Sequence, residues 1–242
     1  MRSPQHRGGR IRTPPVCSAI LEGANLTREA KMVADSRQEA ANRLYGNLME
    51  EAKARFDCVK AALQGSLVLP EAFIREIAFL QLRMLCELIA LACLTAHGDV
   101  RDRSKNLSKE FAADRIIQRL AGLHPKFYPH PVRMEVRHHE NRVILHDQTR
   151  PYLIQSELPK LYTRCGEFLH RGTIRKLASS RAPETMLVAN RDFTEIATWT
   201  NKIMALLDNH RISSIDNKRH LLVILSNASD EGRVQVAYAE SP

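Results

Sequence analysis

Residues 71–97 constrain this chain more than any other stretch. Read at the helical repeat of 3.6 residues, Glu71 to His97 is apolar nearly all the way round. A helix of that kind has no face to leave in water, so it belongs at the centre of a fold. Pro70-Glu71 mark its start, because proline suits a first turn and an acid suits the positive end of the helix dipole. Gly98 reads as its C-cap. The stretch is read as core and not as a membrane span, since Met84–Ala96 is short and contains Glu87. A narrow polar stripe crosses it. Glu76, Arg83 and Glu87 are spaced seven and four apart and share one face, and Arg83 and Glu87 can pair directly. Charges on a buried helix need partners. The stripe is read either as an ion-pair network that holds helix register or as support for a catalytic side chain.

Other helices follow from periodicity and punctuation. Thr27 is placed as the cap of a first helix that runs to Gln64, with Gly65-Ser66 as its stop. Its apolar positions are Leu44, Leu48, Ala52, Phe56, Val59 and Leu63. A third helix is expected over Asn106–Leu123. A fourth begins at Ser156 and ends at Gly172. A fifth runs from Asn190 to Asp208. Alternating Val132, Met134, Val136 and Val143, Leu145 predict a mid-chain β-hairpin. Residues 219–240 predict a second, C-terminal one, with one wet face on the strand that carries Val234, Val236 and Tyr238. Residues 1–26 carry Gly8-Gly9, Pro14-Pro15 and scattered arginines, and read as a disordered basic tail. The expectation is one mainly α domain over 27–242, a bundle of four to five helices with short β-hairpin additions.

Charge narrows the partners. The 242 residues carry a net charge of +9 with few aromatics, 5%. A basic balance favours a polyanion, RNA or another nucleic acid, bound through phosphates more than by base stacking. The five cysteines are dispersed and form no CxxC pair, which fits a reducing cytosol and a cytoplasmic protein with no membrane association.

The chemistry-bearing string is Arg164-Cys-Gly-Glu-Phe-Leu-His170-Arg171 at the end of the fourth helix. Six helical positions put Arg164 and His170 about 120° apart, and long side chains near a helix end can still converge on one cleft. Glu167 is three residues before His170 and can hydrogen-bond it. An imidazole that titrates near neutrality suits general acid or base work, and a guanidinium suits a developing phosphorane. Arg171, Arg175, Lys176 and Arg181 follow and can hold flanking phosphates.

The Arg-x5-His string, following an Arg-x-x-x-Glu helix (Arg83, Glu87), resembles the HEPN superfamily of helical proteins. The likeness covers residues 28–208 by helix order. It implies a homodimer whose composite site cleaves RNA without metal, in a toxin–antitoxin or defence setting with an antitoxin-type protein partner. His170 would then deprotonate a ribose 2′-hydroxyl, and Arg164 would stabilise the pentacovalent phosphate. Cys165 stands where catalytic members usually carry a polar residue. Many relatives lack nuclease activity, so the alternative is a non-catalytic nucleic-acid-binding or protein-interaction module.

A histidine-rich stretch spans His124, His130, His138, His139 and His146. His130, His138 and Asp147 form a conceivable zinc or manganese set. Exposed loop and strand histidines are the simpler reading, so no metal and no cofactor are expected. No phosphate-cradling glycine loop and no GxSxG elbow occurs.

Overall fold

A computed structural model of the chain describes residues 8–12, 28–97, 107–137, 142–170 and 192–240. In order these give β1 (Gly8–Arg12), α1 (Arg28–Leu63), α2 (Glu71–Ala96), α3 (Ala113–Leu123), β2 (His130–Arg137) and β3 (Arg142–Asp147). Then come α4 (Leu158–Leu169), α5 (Thr194–Leu207), β4 (Asn209–Ser213), β5 (Arg219–Asn227) and β6 (Arg233–Glu240).

The mainly α bundle expected above is not what forms. Five helices pack against an antiparallel sheet, so the fold is mixed α/β. The strands close into a barrel in the order β1-β3-β2-β4-β5-β6. Both hairpins exist, with Met134 opposite Leu145 and Leu222 opposite Ala237. They are parts of one sheet, because β4 joins them: it pairs with β2 through His130↔Arg211 and with β5 through Arg211↔Leu222. Such long-range pairing leaves no local pattern in a sequence. Gly8–Arg12, within the stretch read as a tail, pair with both β3 and β6.

Strand β5 explains its own composition. Leu221, Val223 and Leu225 join the helical core with Ile212 of β4. Leu222 clusters with Val143 and Ala239, flanked by Met134 and Leu145. Strands β3 and β5 are not neighbours in the ring, so Val143 and Leu222 meet across its inside. A strand buried on both faces reads as a continuous apolar run, as His220–Leu225 does. On β6, the row of Val234, Val236 and Tyr238 is partly buried against the core that α1 shares, and Tyr238 Oη hydrogen-bonds Asn42 Oδ1 at 2.6 Å.

Helix α2 takes the central place its composition demands. Phe79, Leu82, Leu85, Cys86, Ile89 and Cys93 are wholly buried among α1, α3, α4 and α5. It is also the one helix among the described residues long and apolar enough to cross a membrane. That exceeds the sequence reading, which stopped at the short Met84–Ala96 part. In its most apolar window, 61% of residues are buried inside the protein, as in the core helix of a packed domain. Helix α1 ends as the sequence implied: Gly65 has φ +70°, Ser66 N–H bonds Ala61 O, and Gly65 N–H bonds Ala62 O, a Schellman closure. Its expected core line holds at Ala52, Phe56 and Val59, with Leu48 and Leu63 partly buried against the core; toward the start of the helix Tyr45 and Met49 take the buried places and Leu44 is exposed. Helix α3 starts seven residues later than expected, where the Glu110 carboxylate accepts from the N–H groups of Phe111 and Ala112.

Among the described residues His97, His124, His210 and His220 are buried, and two of them, His124 and His210, fasten the helices to the sheet. His124 overturns the reading of this stretch as exposed. Its Nε2 donates to Ser213 O on β4 at 3.0 Å, and its Nδ1 accepts from Lys126 N–H. His97 stands edge-on to it at 4.6 Å and donates to Phe127 O. His220 Nδ1 meets Ser213 Oγ at 3.0 Å. His210 Nδ1–H donates to Leu207 O, which leaves Nε2 to accept from Tyr45 Oη of α1 at 2.6 Å. Burial lowers His210 from 6.5 to about 4.

That shift sets a pH dependence. Below pH 6.5 the unfolded chain takes up a proton that folded His210 refuses until about pH 4, so stability falls with acid across this window. Urea unfolding is expected to lose about 3 kcal/mol between pH 6.5 and pH 4 from this group. His210→Phe is expected to lower stability at pH 7 and leave a shallower acid slope.

Candidate functional site

Arg164 lies on α4 and is half-exposed. Its guanidinium is held in a two-pronged pair: Nε donates to Glu195 Oε1 at 2.8 Å and Nη2 to Glu195 Oε2 at 3.0 Å. The same group sits 5.9 Å from the Phe79 ring centre. Glu195 lies in the first turn of α5, so the pair ties α4 to α5. The hydrogen bond from Arg164 holds the Glu195 carboxyl below its ordinary range and holds the Arg164 guanidinium above its own.

His170 is the C-cap of α4, exposed, with its N–H bonded to Gly166 O. Among the described residues no hydrogen bond reaches its ring, neither from Glu167 nor from Arg164. The structure thus leaves Arg164, midway along α4, and Glu167 and His170, at its C-terminal end, exposed and not joined. Arg171, Arg175, Lys176 and Arg181 lie outside the described residues, as do His138 and His139.

Arg75 of α2, absent from the sequence reading, organises this end. Its guanidinium carbon is 5.5 Å from the Phe168 ring centre and 5.6 Å from that of Phe193, and its Nη1 donates to Asp192 O. Phe168 stacks on Phe79 at 4.1 Å. The residues that precede and follow segment 171–191 therefore converge on one α2 side chain. Asp192 Oδ1 accepts from Thr194 N–H at 2.9 Å and starts α5. Hydrogen bonds from the Thr194 side chain and N–H depress the Asp192 carboxyl. The sequence carries this signal as Asp192-x-Thr194; Asn190, the expected cap, lies outside the described residues, and the helix starts at Thr194. Two guanidinium groups, Arg75 and Arg164, thus stand among two ionised carboxylates, Asp192 and Glu195.

Arg83 and Glu87 serve another cluster. Arg83 Nη2 donates to Tyr162 Oη at 2.6 Å, its carbon lies 4.0 Å from the Tyr162 ring centre, and Tyr162 Oη donates to Glu87 Oε1 at 3.1 Å. Arg83 Nε also faces Glu87 Oε1 at 3.4 Å. Gly166 lets the guanidinium in, since a Cβ there would meet Arg83 Nη1 at 3.1 Å. Gly166 and Tyr162 are each two residues from Arg164, about 160° away around α4. The network therefore bridges α2 and α4 on the far side from Arg164. Burial raises the Tyr162 phenol, which keeps its donor proton, and pushes the Cys165 thiol up to about 12. Cys165 is wholly buried and unsuited to nucleophilic work.

Of the histidine-rich set, His130 Nε2 lies 3.1 Å from Asp147 Oδ1 and His146 Nε2 lies 3.1 Å from Glu135 Oε2. Among the described residues no group of three metal-ligating side chains forms. No family model matches this chain, and no curated protein or solved structure matches it. The likeness to HEPN proteins rests on the residues alone.

Arg75→Ala is expected to cost about 1–2 kcal/mol in urea unfolding, since two ring contacts and a bond to a backbone carbonyl go at once. Arg164→Gln is expected to cost under about 1 kcal/mol, because its ion pair is open to water.

Proposed function

We propose that this chain is an RNA-binding module that holds backbone phosphates with the basic residues between α4 and α5. The observation that carries the reading is where the charge sits. Segment 171–191 has five cations, Arg171, Arg175, Lys176, Arg181 and Arg191, against Glu184 alone. Its flanking residues Phe168 and Asp192 are both held by Arg75. The charges of Arg75 and Arg164 are met locally by Asp192 and Glu195, so the excess in this region belongs to the segment. An incoming phosphate would have to displace Glu195 to reach Arg164, which favours binding over catalysis here.

The exposure of both Arg164, midway along α4, and His170, its C-cap, supports a second reading. In it, a homodimer completes a metal-independent ribonuclease, with His170 as base and Arg164 as phosphorane stabiliser, in a toxin–antitoxin or defence setting.

Incubation with total RNA in EDTA separates the two. The binding module retains RNA intact, with affinity that falls steeply with salt. Reversing charge at Arg175 and Lys176 is expected to weaken retention about tenfold or more and to flatten the salt slope. Cleavage that disappears in His170→Ala, together with a dimeric mass by size exclusion, establishes the nuclease. Retention unchanged by the charge reversals sinks the phosphate-holding role of the segment.

A further inference from the structure

A cleft of about 370 Å³ opens at one end of the barrel, between the α3–β2 connection, the residues before α4, and strand β4. Its volume lies within the range of small-ligand sites. Its described lining runs from Pro125 to Gln155 and from Arg211 to Asn217, and the inference does not rest on the RNA-binding reading.

Two cations line the cleft, Lys126 from the α3–β2 connection and Arg211 from β4, and among the described residues no carboxylate does. Arg211 is opposite both His130 and Leu222 in the sheet, so it belongs to the inward row of the barrel and is half-buried at the mouth. A cation so placed interacts with an anion through less water than a surface one does. Tyr152 and His130 also line the cleft, their rings edge-to-face at 6.2 Å, and Asp147 fixes His130 through Nε2. Asn217 closes the rim from the β4–β5 turn, in a left-handed conformation with φ 57° that asparagine tolerates better than most residues. Two cations of separate origin match a phosphate, an aromatic wall matches a planar ring, and an amide can read polar edges.

We propose that the barrel-mouth cleft binds a nucleoside phosphate, with Arg211 and Lys126 on the phosphate and Tyr152 against the base. The same chemistry is presented by a free mononucleotide and by the 5′-phosphorylated end of a strand.

Isothermal titration of the full chain tests this with AMP, adenosine, inorganic phosphate, and a short RNA with and without a 5′-phosphate. AMP is expected to bind, and adenosine at least about tenfold more weakly, since the ion pairs are lost. Lys126→Gln, at an exposed site, is expected to weaken AMP about fivefold, and Arg211→Gln tenfold or more, with circular dichroism confirming the fold. Charge reversal at Arg175 and Lys176 should leave AMP binding unchanged, which separates this site from the RNA-holding segment. RNA binding that tightens with the 5′-phosphate identifies a strand end as the ligand, and AMP binding with no such gain on RNA identifies the free nucleotide. No heat with AMP, together with RNA binding indifferent to the 5′-phosphate, overturns the proposal. So does AMP affinity unaltered by Lys126→Gln and Arg211→Gln, or inorganic phosphate bound as tightly as AMP.

Discussion

The rest of this structure depends on the burial of α2. A 26-residue helix with so little polar surface has to be covered on nearly every side, and α1, α3, α4 and α5 supply that cover. Its charges decide how the cover is registered. Arg83 and Glu87 are satisfied through Tyr162 of α4, and Gly166 clears the space for the guanidinium. Such a network contributes little net stability relative to an apolar replacement, but breaking one partner strands the others. It therefore acts mainly to select one docking of α4 on α2. Nearer the start of the helix, Arg75 does the same for the junction of α4 and α5 through Phe168, Phe193 and Asp192.

The sheet is secured to this helical core by polar contacts as well as by apolar ones. His124 and His220 both reach Ser213, and His210 bridges Tyr45 of α1 to the end of α5. Buried neutral imidazoles serve well because each offers one donor and one acceptor in fixed directions. These bonds hold β4, the barrel strand that joins the two hairpins, against the helices. The cleft opens beside that strand, so the same contacts that secure the fold also hold the mouth in which Arg211 sits.

Helix existence was readable from periodicity, and the Gly65-Ser66 stop and the Pro70 start follow local rules that chain chemistry enforces. Boundaries drifted where two capping groups compete within a few residues, as with Asn190 and Asp192, or where an acid such as Glu110 starts a helix late. The alternation of β2 and β3 and the doubly apolar β5 were also visible as strands. Their union was not, since β2–β4 pairing joins residues about eighty apart.

At the candidate site the residue types Arg164 and His170 were legible, and what occupies them was not. The partner of Arg164 is Glu195, thirty-one residues on, and no spacing rule connects them. Local periodicity and capping, which act within a turn or two, were enough to specify an apolar central helix, most of its companions and the places where strands begin. The closure of the barrel, the pairing of Arg164 with Glu195, the clamp at Arg75 and the cleft around Arg211 arise between distant segments. They came into view once burial of α2 had brought those segments together, because contacts between residues remote in the chain are set by packing and not by local propensity.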